Sequence, residues 1–394
     1  MTDRLIIYNA TLVLPDNVLP GSFVVCENGL ISQIGEGAYP FADTGIVLNA
    51  NGNYLSPGFI DMHTHGGGGH DFMDNTLESY LGAAEMHAKH GTTSLVPTTL
   101  ASTMDELLKT FTLYKEAKEK NRNGAGFLGL HLEGPYFAYN QRGAQDPKYL
   151  RNPEPDEYNS ILAASGDIIR WSIAPELDGA LALGALLHSK GILASIGHTD
   201  ATYEEVVKAY NAGFTHVTHL YSCMSTISRK NAYRYAGAVE AAYLIKDMTV
   251  EIIADGVHLP KPLLQYVCEF KGIDKIALCT DSMRAAGMPD GEYLLGSLSN
   301  GQPVVVEDCV AKLPDRSAFA GSTATADRLI KTMIEAGVSL SDVVRMMTLN
   351  PARILGIEDK KGALAPGMDA DMVVFDKQIA IQHTLVKGRI IYSK

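Results

Sequence analysis

The chain has 394 residues, 46% hydrophobic and 20% charged, a composition that suits a globular protein with one large domain and a smaller one. Its formal net charge of −12 argues against broad nucleic-acid binding and against adsorption to anionic membranes, and an anionic small substrate would need cations supplied locally. Cys26, Cys223, Cys268, Cys279 and Cys309 show no CxxC spacing, which fits reduced thiols and a cytoplasmic location. The opening MTDRLIIYNATLVLP has no basic region or cleavage site of a signal peptide, and no apolar run reaches membrane-spanning length.

In chain order, FVVC and LISQIG flank Glu27-Asn28-Gly29, a strong hairpin signal. Apolar runs that read as buried strands follow at FIDMH (59–63), SLV (94–96), GFLGLHL (126–132) and IIRWSI (168–173). Four more are ILASI (192–196), HVT (216–218), TVEII (249–253) and IALC (276–279). Helical stretches lie between most of them. In TYEEVVKAYNAG, Thr202 and Glu205 form a capping box and Gly213 is a stop. Eight strands alternating with helices predict a parallel (β/α)8 TIM-like barrel over 55–362, closed by helices at TATADRLIKTMIEAG and SDVVRMMTLNPARIL. A doubly wound sheet is the competitor, but no GxGxxG opens an early strand–helix turn. ADMVVFD and QIAIQHTLVKGRIIY make the C-terminus β-rich like the N-terminus, and 1–54 with 363–394 are expected to pair as a small β-sandwich.

Side chains at the C-terminal ends of barrel strands share one mouth. Read in order, those ends carry His63 and His65, then Glu133 in HLEGP, His198 in IGHTD, His219 in THVTHLY, Asp255 and His258 in ADGVH, and Asp281 in CTDS. One residue apart on a strand, His63 and His65 face the same way. Neutral imidazoles and a carboxylate suit zinc, iron or a similar divalent ion, which brings the pKa of water toward neutrality, and a nearby aspartate can shuttle its proton. The glycines of DMHTHGGGGHDF are expected to let backbone pass close to the ion and substrate. His131 is expected to support the ligands from behind and His216 to be structural. His70, His87, His90, His188 and His383 read as surface or capping residues.

At these residues the sequence resembles the amidohydrolase superfamily, and within it the N-acetylglucosamine-6-phosphate deacetylases. PGFIDMHTHG, HLEGP, GHTDAT, THLY, IADGVH, TDS, AGST, LNPAR and GALAPGMDADMVVFD carry the likeness, spanning 57 to 376. The resemblance implies a metal site on Glu133, His198 and His219, to which two-metal members add a pair matching His63 and His65. It implies Asp281 as the catalytic acid/base, His258 as a substrate-binding residue with Asp255 to Val257 lining the sugar, and Phe319, Ala320 and Gly321 as a backbone segment touching it. The partner it implies is a small amino-sugar phosphate, and the oligomer a homodimer.

Several positions depart from the family. Gly143-Ala144-Gln145 stands where GAH is usual, and the family histidine polarises the acetyl carbonyl; a glutamine can donate a hydrogen bond but carries no charge. Ser222-Cys223 replaces the Asn-Ala of THL[FY]NAM. The family's phosphate-binding arginine has Arg234 as its nearest counterpart, on a longer loop with Arg229, Lys230, Tyr233 and Tyr235 that reads as an anion grip. The expected chemistry is metal-dependent hydrolysis of an N-acetyl amide, with Gln145 or His258 helping to hold the oxyanion. The alternatives are an amidohydrolase for a different N-acyl sugar or cyclic amide, and a barrel that binds without catalysing.

Overall fold

The computed structural model describes residues 4–39 and 45–394; the parts of the 1–54 range at 1–3 and 40–44 lie outside the described residues. All eight expected barrel strands form, at Phe59–Thr64, Thr92–Thr99, Leu130–Glu133 (preceded by the short Gly126–Phe127), Ile168–Ile173, Leu193–Ile196, Phe214–Val217, Thr249–Ile252 and Ile276–Leu278. Each pairs in parallel with the next in chain order. Continuous apolar runs are what a sheet covered on both faces requires. Helices such as Met104–Lys120, Tyr203–Asn211 and Ala326–Glu335 cover the outside, and the capping boxes at Thr103/Glu106 and Thr202/Glu205 are both formed.

The last strand meets the first through a polar seam. Asp61 accepts from the Thr280 backbone N–H at 3.2 Å and its hydroxyl at 2.6 Å. The Asp281 N–H donates to the His63 carbonyl at 2.9 Å, and the His65 N–H to the Ser282 carbonyl at 2.8 Å. The backbone that closes the barrel is therefore the same backbone that carries His63, His65 and Asp281.

The two termini share one eight-stranded sheet, in which Tyr54–Pro57 pairs with both Arg4–Val13 and Met372–Phe375. One face of it packs around a core containing Leu5, Ile7, Val24, Leu55, Met372 and Leu385, and Ile6, Phe23 and Val25 form a smaller cluster from the alternate positions. Its edge hairpins meet through residues 368–370: the Ala370 N–H donates to the Gly29 carbonyl at 2.9 Å, and the Gly388 N–H to the Ala370 carbonyl at 2.8 Å. Asn28 and Gly29 (φ 53° and 81°), like Lys387 and Gly388 (φ 49° and 71°), adopt the left-handed pair that tight hairpins need. Phe375 packs on Phe59 and joins this sheet to the barrel core.

An element without counterpart among the expectations is a three-stranded antiparallel sheet, Gly291–Leu295, Gln302–Glu307 and Val310–Lys312, inserted after the last barrel strand. Arg284 fastens it to the first barrel loop, binding Asp74 at 2.7 Å and the carbonyls of Gly69, Leu294 and Gly296. Among the described residues no helix is long and apolar enough to cross a membrane.

The glycine run serves this loop. A Cβ on Gly66 would lie 2.1 Å from the His70 carbonyl oxygen, and one on Gly67 1.8 Å from the Met86 side chain. The glycines thus allow a tight hairpin to press on helix Leu77–Lys89, which replaces the expectation that they clear space for an ion or substrate. His87, expected at the surface, is fully buried on that helix, with Nε2 3.0 Å from the Gly66 carbonyl.

Burial holds the His87 pKa down at about 4, against an ordinary 6.5. The unfolded chain then binds the extra proton between those values, so this residue's contribution is complete above pH 6.5 and is lost as pH falls toward 4, up to about 3 kcal/mol. Urea unfolding at pH 7, 5.5 and 4.5 should give a shallower pH slope for His87→Gln than for the wild type; equal slopes would contradict the assignment.

Candidate metal centre and active-site cavity

Glu133, at the end of barrel strand Leu130–Glu133, is buried and faces four imidazoles. The Nε2 atoms of His63, His65, His198 and His219 lie 3.5, 3.3, 3.2 and 3.0 Å from its oxygens. Asp281 approaches from the other side, Oδ1 being 3.3 Å from His63 Nε2 and 3.1 Å from His65 Nε2. Six of the eight side chains that the strand-end reading grouped, all but Asp255 and His258, therefore converge on one point.

Three neighbours decide which nitrogens face that point. His63 Nδ1 is 2.8 Å from Glu251 Oε1, His198 Nδ1 2.8 Å from the Gln141 carbonyl, and His65 Nδ1 3.3 Å from the Thr98 carbonyl. Carboxylate and carbonyl oxygens only accept, so each Nδ1 carries the hydrogen and each Nε2 presents a lone pair. Lone pairs facing carboxylate oxygens repel unless a cation stands between them. His63 Nε2 and Asp281 Oδ1 are buried without a hydrogen-bond partner, which fits the same demand. The residues thus suit a divalent ion. Three triads place one ligand atom each within 4.8 Å of one another: His63–His65–Glu133 and Glu133–His198–His219, which share Glu133, and His63–Glu251–Cys279 behind them.

Without an ion, protons answer the demand. Burial lowers the His65 pKa, but hydrogen bonds to Asp281 and Glu133 outweigh it and bring the group to about 10. His198 also rises well above its ordinary value, burial being overcome by Cys223 and Glu133. Burial pushes the Asp281 and Glu133 carboxyls up, yet His63 and the neighbouring imidazoles hold both below the usual range. An ion must therefore displace protons to bind.

The side chains are aimed by strained backbone. His198, His219 and Asp281 have φ of 49°, 27° and 47°, in the left-handed region that non-glycine residues avoid. Support is local. The Ser322 N–H donates to the Asp281 carbonyl at 2.7 Å, and Gly321 (φ 60°) sits so close that a Cβ would lie 3.0 Å from that oxygen.

The cluster opens into a cavity of about 280 Å³, lined also by Ala144, Gln145, Ser222, Cys223, His258, Phe319 and Gly321. Gln145 is placed differently from a free carbonyl polariser. Its NH₂ donates to Glu133 Oε2 at 2.9 Å, and its Oε1 accepts from the Ala101 N–H at 2.8 Å, which clamps the shared carboxylate. Asp255 does not line the cavity; its carboxylate holds His258 Nδ1 at 2.8 Å and accepts two backbone N–H groups. Ala320 is buried in the insert core. Arg234 and Arg229 face each other on an exposed hairpin, Ser228–Lys230 with Tyr233–Tyr235, outside the cavity. Among the described residues no lysine or arginine lines the cavity.

Tyr221 and Leu100 also line it, and beneath it Arg170 and Glu251 form a fully buried ion pair at 2.6 Å; none of the four was expected from the sequence. Arg170 and Glu251 had a readable signal, since each interrupts an apolar strand run, IIRWSI and TVEII, with a charge of opposite sign. His131 stands behind His63, with ring centroids 4.6 Å apart, and hydrogen-bonds Ser172 and Thr98.

The model of the Amidohydrolase family matches residues 54–391. N-acetylglucosamine-6-phosphate deacetylase of Lysinibacillus sphaericus is 34% identical over 98% of this chain and 97% of its own length. N-acetylgalactosamine-6-phosphate deacetylase of Escherichia coli O157:H7 is 32% identical over 87% and 89%. Among solved structures, a mutant N-acetyl-D-glucosamine-6-phosphate deacetylase from Mycobacterium smegmatis in complex with N-acetyl-D-glucosamine-6-phosphate superposes with a TM-score of 0.89 at 32% identity, covering both chains fully.

Because Glu133 faces all four imidazoles, Glu133→Gln should release metal from the whole centre. Metal content per chain after gel filtration without chelator should fall close to zero, whereas content equal to the wild type would place the ions elsewhere.

Proposed function

The chain belongs to the amidohydrolase family, and on that premise we infer that it hydrolyses the N-acetyl amide of N-acetylglucosamine 6-phosphate, giving the amino-sugar phosphate and acetate. The observation that carries this reading is the Glu133–imidazole centre with Asp281 against it, opening into a sugar-sized cavity in a chain alike over its whole length to deacetylases of this kind.

Glu133, His198 and His219 would hold one divalent ion, zinc, iron or similar, and His63 and His65 with Glu133 a second. When bound, such an ion supplies Lewis acidity, lowering the pKa of water and polarising the acyl oxygen. Asp281 is ionised at neutral pH, since His63 and His65 hold its carboxyl low. It takes the proton of the attacking water and returns it to the amine nitrogen as the C–N bond breaks. Gln145 commits one N–H to Glu133 and has a second for the acyl oxygen. His258, braced by Asp255 and lying 4.5 Å from the Phe319 ring, holds the sugar with the backbone of Ala320 and Gly321; Ala144, Ser222 and Cys223 complete the wall.

Phosphate requires a cation that one chain's cavity does not supply. We assign that role to Arg234, with Arg229 and Lys230 beside it, delivered by the exposed hairpin of a second copy in a homodimer. The five free cysteines, two of them buried, fit a cytoplasmic home. The galactosamine epimer is the second reading, favoured by the 32% identity to the deacetylase named for it.

Acetate release should be fastest with N-acetylglucosamine 6-phosphate when compared with its galactosamine epimer and both unphosphorylated sugars; no release from any of the four would reject the assignment. Asp281→Asn should keep wild-type metal content and lose about 10²–10⁴-fold in kcat, and a near-normal rate would remove the proton-shuttle role. Arg234→Ala should raise KM about tenfold or more for phosphorylated substrate alone; an equal rise for the unphosphorylated sugar would reject it as the phosphate grip.

A further inference from the structure

The barrel interior below the metal centre holds a charged pair that the reaction does not use directly. Arg170 and Glu251 are both fully buried. Every Arg170 N–H is taken. Its two terminal nitrogens bind Glu251 at 2.6 and 2.8 Å and also reach the Met62 carbonyl and the Thr218 hydroxyl, each at 3.1 Å, while Nε donates to Ser195 at 3.1 Å. The guanidinium is thus locked in place and presents Glu251 at a fixed position. Glu251 Oε1 in turn accepts from His63 Nδ1 at 2.8 Å and from the His219 backbone N–H at 3.2 Å. One carboxylate therefore touches a residue of each metal-binding triad. On His63 its effect is chemical: it holds the hydrogen on Nδ1 and leaves Nε2 bare, turned toward Glu133 and Asp281 with no hydrogen-bond partner.

We propose that Glu251, fixed and neutralised by Arg170, is a positioning residue that makes His63 an Nε2 ligand and so gives this chain a second ion on His63, His65 and Glu133. The inference rests on the reading of this cluster as a metal centre. A carboxylate behind a metal-bound histidine sets its tautomer and raises its basicity, and losing such a partner typically costs about 10–100-fold in metal affinity. The ion on Glu133, His198 and His219 keeps its ligands without Glu251, because His198 is oriented separately by the Gln141 carbonyl and Glu251 meets His219 only at its backbone N–H, not at the imidazole. The pair would then act on one ion and leave the other in place.

The test is metal stoichiometry and affinity, measured by elemental analysis and by titration of chelator-stripped protein with Zn²⁺. Wild-type protein should bind two ions per chain. Glu251→Gln should retain one ion with unchanged affinity and bind the other about 10–100-fold more weakly. Removing one partner strands a buried Arg170 charge, which can prevent folding. The Arg170→Met/Glu251→Leu double variant removes both charges at similar volume, an exchange that is often neutral for stability. It should fold, checked by circular dichroism, and show the same selective loss. His63→Asn should reproduce that loss with the pair intact. Variants that bind two ions with wild-type affinity, a folded double variant that loses both ions equally, or a wild-type chain that binds only one would overturn the proposal while leaving a metal-dependent hydrolase. A wild-type chain that binds no ion would instead remove the metal reading itself.

Discussion

A buried carboxylate facing four imidazoles, three of them turned by their neighbours to present a lone pair, is unstable unless positive charge sits among them, and that constraint organises this molecule. Glu133 is buried at the cavity floor, faces His63, His65, His198 and His219, and is held by Gln145. Taking such a group out of water costs several kcal/mol unless its charge is answered locally. Protons on the histidines can answer it, and so can a divalent ion. The ion would in addition supply Lewis acidity that lowers the pKa of water.

The barrel bears the cost of assembling that cluster. Its side chains come from the ends of five strands, and three of them are aimed by backbone in a region that costs on the order of 1–3 kcal/mol per residue. The strain is held by structure needed for other reasons. The polar seam at Asp61, Thr280 and Ser282 closes the sheet and at the same time fixes the backbone of His63 and Asp281. The inserted sheet, fastened by Arg284 to Asp74, carries the Phe319–Gly321 wall and braces the Asp281 turn. The histidine–carboxylate cluster, the barrel closure and the cavity wall are parts of one connected network.

Much of this was legible in the residues. Eight apolar runs separated by helical stretches gave the strand positions, because a parallel sheet buried on both faces leaves an uninterrupted apolar signal. Histidines and carboxylates at successive strand ends gave the site, since the topology turns those ends toward one mouth. What escaped depends on packing between distant segments. The clash of a Gly67 Cβ with Met86 decides the glycine run, and the depth of helix Leu77–Lys89 decides that His87 is buried. Asp255 is directed to His258 and away from the cavity by hydrogen bonds within its own loop. The insert was missed although Asn300-Gly301 and the alternating pattern after it carry a turn-and-strand signal. Arg170 and Glu251 were passed over because each looks like an isolated charge until the barrel sets them face to face.

Anomalous diffraction from crystals of protein purified without chelator, collected on both sides of the absorption edge of the metal it carries, tests the central claim most directly. The account predicts a strong anomalous peak enclosed by Glu133, His198 and His219, with a second beside His63 and His65. Absence of anomalous density around Glu133, in protein that still releases acetate from N-acetylglucosamine 6-phosphate, would contradict it.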